Sequence, residues 1–129
     1  MVAQLERTKF HKVFGVEMQG NIVVVQPKGD AVSFRDTDVY TELNTVMQVL
    51  DGLGMVNLLI DLSGDEYYGS TIIGAINKMG LKVRDAGGRV ALCGASDQML
   101  DIMRVMKLDE LWINFDSKKI ALKALGKVG

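Results

Sequence analysis

Hydrophobic and polar positions at the start of the chain follow the pattern of a β-hairpin. Apolar residues alternate roughly with polar ones over residues 10–18, which predicts a strand. Turn residues around Gly20 and the β-branched run 21–26 predict a hairpin and its second strand. Pro27 should stop that strand, because proline has no N–H to donate to a sheet.

Further along the chain, apolar residues at helical spacing alternate with short apolar runs. The helices are predicted to begin at 36–38, at Ser70, at Ser96 or Asp97, and at Asp116 or Ser117. The intervening strands are predicted at 55–62, 89–93 and 111–115. The order β-β-α-β-α-β-α-β-α predicts an α/β fold with a mixed sheet of four to five strands and about four helices, because β-α-β crossovers join parallel neighbours. With so few helices, one face of the sheet should be covered better than the other.

Composition and charge narrow the class of protein. The 129 residues are 48% hydrophobic and 24% charged, which predicts one globular domain over 1–129. A net charge of −1 offers no electrostatic attraction for nucleic acid or an anionic membrane. The apolar runs are too short to cross a bilayer, and the N-terminus lacks the pattern of a secretory signal. A single cysteine suits a reducing compartment, so we expect a cytoplasmic protein.

Catalytic and metal-binding residues are sparse. His11 and Cys93 lie far apart in sequence, and Cys93 belongs to an apolar strand, so a buried, inert thiol is the favoured interpretation. One histidine and one cysteine cannot make a typical zinc site. Asp61, Asp65 and Glu66 could serve acid–base chemistry, but a solvated acidic turn is favoured because no nucleophile accompanies them. The sequence therefore predicts a binding module without cofactor or enzymatic activity.

The methionines Met99, Met103 and Met106 are spaced so that they share one face of a helix. Such stripes usually pack into the core. The alternative is an adaptable docking surface for a partner, since methionine side chains are flexible.

The segment 57–74, NLLIDLSGDEYYGSTIIG, has an unusual order: a buried strand, an acidic turn, two tyrosines, a glycine and two hydroxyl residues that open a helix. In one interpretation, Ser70 or Thr71 only caps the helix by accepting a bond from a backbone N–H. In the other, the positive end of the helix dipole accommodates a phosphate on Ser70, whose charge of about −2 would change any docked surface. Both interpretations remain open from the residues alone.

The same segment carries a resemblance to a known family. The matching positions are Asp61-Leu62, Tyr67-Tyr68, Ser70-Thr71, Gly87-Gly88, Val90-Ala91-Leu92 and residues 108–112. In this pattern, and in the opening hairpin and helix, the chain resembles the STAS domain family of the bacterial anti-sigma factor antagonist type.

That resemblance implies a regulator of transcription that works by partner switching. Ser70, or alternatively Thr71, would be phosphorylated by a partner serine kinase that is itself the anti-sigma factor, and phosphorylation would switch binding off. A PP2C-type phosphatase would reset the switch, and ATP would be bound by the kinase. The partner-binding residues implied are Asp30, Asp65, Glu66, Tyr67, Tyr68, Gly69, Ser70, Thr71 and Gly74.

Three departures from the family pattern keep an alternative open. Gly69 replaces the aspartate before the serine, Ile72 replaces a glycine, and Val32 replaces an aspartate, although Asp30 is close by. A STAS-like scaffolding or small-ligand-sensing module without a phospho-switch is therefore the second hypothesis. A receiver-like domain with Asp61 as phospho-acceptor is disfavoured, because the chain opens with a hairpin and lacks the early acidic pair that binds magnesium.

Overall fold

The computed structural model describes residues 13–28, 36–108 and 112–126, and the structural statements below concern these. The elements in chain order are β1 Phe14–Gln19, β2 Ile22–Pro27, α1 Asp36–Leu53, β3 Asn57–Asp61, α2 Ser70–Asp85, β4 Val90–Cys93, α3 Asp97–Val105, β5 Ile113–Phe115 and α4 Lys118–Gly126. The predicted element order is confirmed. Pro27 is the last residue of β2, one position beyond the predicted end.

The strands form one mixed sheet in the order β1-β2-β3-β4-β5. β1 and β2 form the antiparallel hairpin, in which Gln19 pairs with Ile22 across a turn where Gly20 has φ +61. The remaining neighbours are parallel. The mixed sheet predicted from the hairpin and the β-α-β units is therefore confirmed.

Alternation along the inner strands divides the apolar residues between two layers. Helices α1, α2 and α3 cover one face of the sheet, where Val23, Leu58 and Leu92 contribute to the larger core. Helix α4 covers the other face through Ala121 and Leu125. The unequal covering expected from the small number of helices is confirmed.

Two buried polar side chains attach distant segments to this framework. The Glu42 carboxylate of α1 accepts hydrogen bonds from the N–H groups of Val13 and Phe14 at 3.0 and 3.2 Å, which joins α1 to the start of β1. Asn57 accepts from Arg89 N–H at 2.9 Å and donates to the Leu125 carbonyl at 3.3 Å. Buried polar groups require such partners, so both side chains specify where these segments pack.

The helix ends explain how the methionine stripe divides. The sequence predicts that α3 begins at Ser96 or Asp97. Ser96 is its N-cap, and the Ser96 side chain accepts from Met99 N–H. The helix ends at Val105, so Met99 and Met103 are buried in the larger core whereas Met106 is partly exposed beyond the last turn. Two of the three methionines thus follow the core interpretation.

The described helices include none that is long and apolar enough to cross a membrane.

Two glycines in α2 give a matched test of this packing. A Cβ at Gly80 would lie 2.8 Å from Trp112 Cζ2, whereas a Cβ at Gly74 would meet nothing within 4 Å. Gly80→Ala should therefore destabilise the fold by about 1–3 kcal/mol through overpacking. Gly74→Ala should stabilise it by up to about 1 kcal/mol, because alanine has the higher helix propensity. Urea unfolding followed by Trp112 fluorescence measures both, and shifts of the same sign would contradict this account of the Gly80–Trp112 contact.

Candidate functional site

An exposed acidic segment connects β3 to α2, and we call residues 62–69 the β3–α2 turn. Its two ends are held in the core, because the side chains of Leu62 and Tyr68 are fully buried. Residues 63–67 between them are exposed. Because apolar side chains anchor both ends and the residues between them are exposed, the turn projects from the sheet while its ends stay in place.

Asp61 organises the beginning of the turn. This carboxylate is buried, and its Oδ1 atom accepts from Ser63 N–H at 3.0 Å and from the Ser63 hydroxyl at 2.6 Å. Gly94, with φ +71, packs against the same serine so closely that a Cβ there would lie 2.7 Å from Ser63 Cβ. The buried, occupied carboxylate disfavours Asp61 as an accessible phospho-acceptor. In the described part of the chain, no group of three or more His, Cys, Asp or Glu side chains could hold a metal ion.

The two adjacent tyrosines have opposite environments. Tyr67 is 42% exposed, whereas Tyr68 is buried, donates its hydroxyl to the Pro27 carbonyl at 3.4 Å and donates its N–H to Met99 Sδ at 3.3 Å. Burial, with the negative charge of Asp65 as a second cause, raises the pKa of Tyr68 to about 12. Tyr67 is thus available to a partner, while Tyr68 supports the turn from beneath.

Helix α2 begins at Ser70, as predicted, but neither hydroxyl residue caps it. The N-cap is Gly69, which lacks a side chain to accept a bond, and Ile73 N–H donates to the Gly69 carbonyl at 3.0 Å. Ser70 and Thr71 are the first two helical residues, so the predicted capping role is wrong for both. An extended glycine can enter the helix without a side-chain cap at a cost of only a few tenths of a kcal/mol relative to serine.

Ser70 is exposed and opens onto a groove between α1 and α2. The groove has a volume of about 250 Å³ and is lined by Tyr40, Leu43, Ser70, Thr71, Gly74, Ala75 and Lys78. Ser70, Gly74 and Lys78 are four residues apart, so they share one helix face. Because Gly74 lacks a side chain, the floor of the groove between the hydroxyl and the lysine stays open.

The structure thus brings Ser70, Thr71 and Gly74 together and adds two residues that sequence reasoning missed. Lys78 continues the spacing of Ser70 and Gly74, which is a signal that could have identified it. Tyr40 belongs to α1, and only the packing of α1 on α2 places it there. Asp65 and Glu66 are exposed on the neighbouring turn. Asp30 and His11 lie outside the described residues.

Cys93 is buried at the end of β4 beside Asp61. Burial and the negative charge of Asp61 raise the pKa of the Cys93 thiol to about 12. The thiol therefore stays protonated near neutral pH, which agrees with the prediction of an inert, buried cysteine.

Alkaline pH should destabilise the fold through these buried groups. The ordinary pKa values are 9.0 for the Cys93 thiol and 10.0 for Tyr68, against about 12 for both in the folded chain. Between the ordinary and the raised pKa values, the unfolded chain has released protons that the folded chain retains. The free energy of unfolding therefore falls as pH rises from about 9 to about 12. Urea unfolding across this range should show a shallower fall for Tyr68→Phe, with exposed Tyr40→Phe as the control. An unaltered fall in Tyr68→Phe would contradict this.

Comparisons with known proteins agree with this architecture. The STAS domain family matches residues 15–121. An anti-sigma-factor antagonist (STAS) domain protein from Planctomyces limnophilus is 27% identical, with a TM-score of 0.72 over 88% of this chain and 97% of that chain. RsbS from Moorella thermoacetica is 16% identical, with a TM-score of 0.75 over 89% and 96% of the two chains. The Bacillus cell fate determinant SpoIIAA in its phosphorylated form is 14% identical, with a TM-score of 0.68 over 86% and 97%.

A search of curated proteins finds no match. The family match nevertheless covers most of the chain, and the resemblance seen in its motifs is confirmed. The matched residues, the order of the elements and the five-stranded mixed sheet together show that this chain belongs to the STAS domain family.

Proposed function

We propose that this chain is an anti-sigma factor antagonist-like regulator, which binds a partner serine kinase acting as the anti-sigma factor. Phosphorylation of Ser70 switches the binding off. The observation that carries the proposal is the position of Ser70: its side chain is exposed, at the positive end of α2, between the acidic turn and the α1–α2 groove. A PP2C-type phosphatase that resets the switch, and a cytoplasmic location, belong to the same proposal.

The surface around Ser70 has features of a partner-binding site. Two large exposed aromatic residues accompany it: Tyr67 precedes it on the β3–α2 turn, and Tyr40 lines the same groove, and aromatic residues are enriched in protein interfaces. Asp65 and Glu66 make the turn negative, whereas Lys78 adds a positive charge at the groove. A complementary partner would insert an acidic or apolar side chain over Gly74, where the floor of the groove is open and Lys78 lies at its edge.

Phosphorylation would change this surface without unfolding it. A phosphate of about −2 charge at the first residue of a helix is favoured by the helix dipole, so α2 should tolerate it. The same charge at the edge of the groove would repel an acidic partner group placed there, and it would make the burial of an apolar group against it unfavourable. Among the similar structures, SpoIIAA is described in both an unphosphorylated and a phosphorylated form, which supports the proposal by analogy.

A scaffolding or small-ligand-sensing role without a phospho-switch is the second candidate. It is favoured by Ile72, which replaces a family glycine and is buried in the larger core two residues after Ser70. Gly69 likewise removes the acidic group that the family carries before the serine. Under this alternative, the groove beside Ser70 would bind its partner or ligand irrespective of charge at Ser70.

The phosphorylation site is tested with a serine kinase of the partner-switching type from the same genome. In the presence of ATP, intact mass should show the addition of one phosphate to the wild type and none to Ser70→Ala. Thr71→Val is the matched control and should still be modified. Since Ser70 does not cap α2, its replacement should change the free energy of unfolding by less than about 0.5 kcal/mol. Absence of modification in the wild type, or equal modification of Ser70→Ala, would exclude Ser70 as the site.

The effect of charge is tested by calorimetric titration of the same kinase. Ser70→Asp should weaken binding by about tenfold or more, because it places a negative charge at the centre of the surface. Ser117→Asp adds the same charge at the start of α4, on the other face of the sheet, and should bind like the wild type. Equal affinity of Ser70→Asp and wild type would favour the second candidate function.

A further inference from the structure

The first turn of α3 holds the backbone of the β3–α2 turn on both sides of Tyr67. The Ser96 hydroxyl donates to the Glu66 carbonyl at 2.6 Å, immediately before Tyr67. Tyr68 N–H, immediately after it, donates to Met99 Sδ at 3.3 Å. The exposed ring of Tyr67 thus projects from a backbone that a different helix secures at two points.

Ser96 fills two roles with one hydroxyl group. Its oxygen accepts from Met99 N–H at 3.1 Å, which caps α3. Its single proton goes to the Glu66 carbonyl, because a carbonyl oxygen can only accept. The donor and the acceptor function of the hydroxyl therefore serve different elements, and a substitution can remove one while keeping the other.

The loop that leads into α3 also supports the start of the turn. The Cys93 carbonyl accepts from Leu62 N–H at 2.9 Å, and Gly94 lies against Ser63 with no room for a side chain. Gly94 in turn donates its N–H to the Phe115 carbonyl at 3.1 Å, which attaches the loop to β5. Cys93, Gly94, Ser96 and Met99 therefore all contact the β3–α2 turn.

We infer that Ser96 is a positioning residue for partner recognition, through the hydrogen bond that it donates to Glu66. An exposed turn without this bond samples more conformations, and a partner must then order it at a cost in affinity. With the bond in place, Tyr67 and the start of α2 at Ser70 are presented in one arrangement. The recognition part of this inference rests on the function proposed above.

Two variants of Ser96 separate its donor role from its capping role, and a third variant at another helix start serves as the control. Ser96→Asp keeps a good N-cap acceptor for Met99 N–H, but its carboxylate has no proton to donate at neutral pH. Ser96→Thr keeps both the donor and the acceptor. Ser117→Asp is the matched control, because Ser117 accepts from Ile120 N–H at the start of α4 in the same way, on the opposite face of the sheet.

Amide hydrogen exchange of the chain alone measures the positioning of the turn. In Ser96→Asp, the amide of Tyr68, which donates to Met99 Sδ, should exchange about fivefold faster or more, as expected when the turn loses one of its hydrogen bonds. The amides of residues 100–105 in α3 should stay within about twofold of wild type, because the cap is kept. Ser96→Thr and Ser117→Asp should exchange like wild type at the turn. Unchanged exchange of the Tyr68 amide in Ser96→Asp would overturn the inference.

Binding to the same serine kinase measures the consequence for recognition. Ser96→Asp should lower the affinity about fivefold, and Ser96→Thr should restore it, whereas a general loss of stability would not follow this pattern. Faster exchange combined with wild-type affinity would overturn the role of Ser96 in recognition. If the wild type binds no such kinase, the proposed function fails, while the exchange measurement still decides whether Ser96 positions the turn.

Discussion

The burial of β3 between two layers is the constraint on which the rest of the structure depends. All five of its residues are buried, with Leu58 and Ile60 in the larger core and Leu59 facing α4. A strand that is covered on both faces leaves no water for the polar residues at its ends, so these must find partners within the protein. Asn57 at the start attaches α4 and β4, and Asp61 at the end shapes the turn that follows. The framework and the candidate site are therefore organised by the same strand.

The hydrophobic core fixes the conformation of the candidate site. The turn after β3 is anchored by buried side chains at both ends, and α2 starts from an extended Gly69 that needs no side-chain cap. Ser70 therefore does not cap the helix and is exposed. We expect a change of charge at such a position to have little effect on the fold, which is the property that the proposed regulatory site requires.

In the β3–α2 turn, residues that pack in the core stand next to residues that are exposed. Tyr68 contributes to the core while Tyr67 projects outward, and Ser96 connects this pair to a helix that is distant in sequence. The described part of the surface proposed for partner binding includes a short turn that hydrogen bonds attach to β2, to β4 and to the first turn of α3. Preorganisation of this kind lowers the entropy lost on binding, so even a small surface with one groove can recognise a protein partner.

The sequence by itself determined the order of the elements, the mixed sheet, the start of α2 at Ser70 and the family, because periodicity, turn residues and motifs are local features of the chain. It did not determine that Gly69 rather than a hydroxyl residue forms the N-cap, because the choice between neighbouring positions depends on how the preceding turn is anchored. Only the tertiary structure placed Tyr40 beside Ser70 and Ser96 against Glu66. Those pairs are separated by about thirty residues, and their contact depends on the packing of α1 and α3 over the sheet, which no local pattern of side chains encodes.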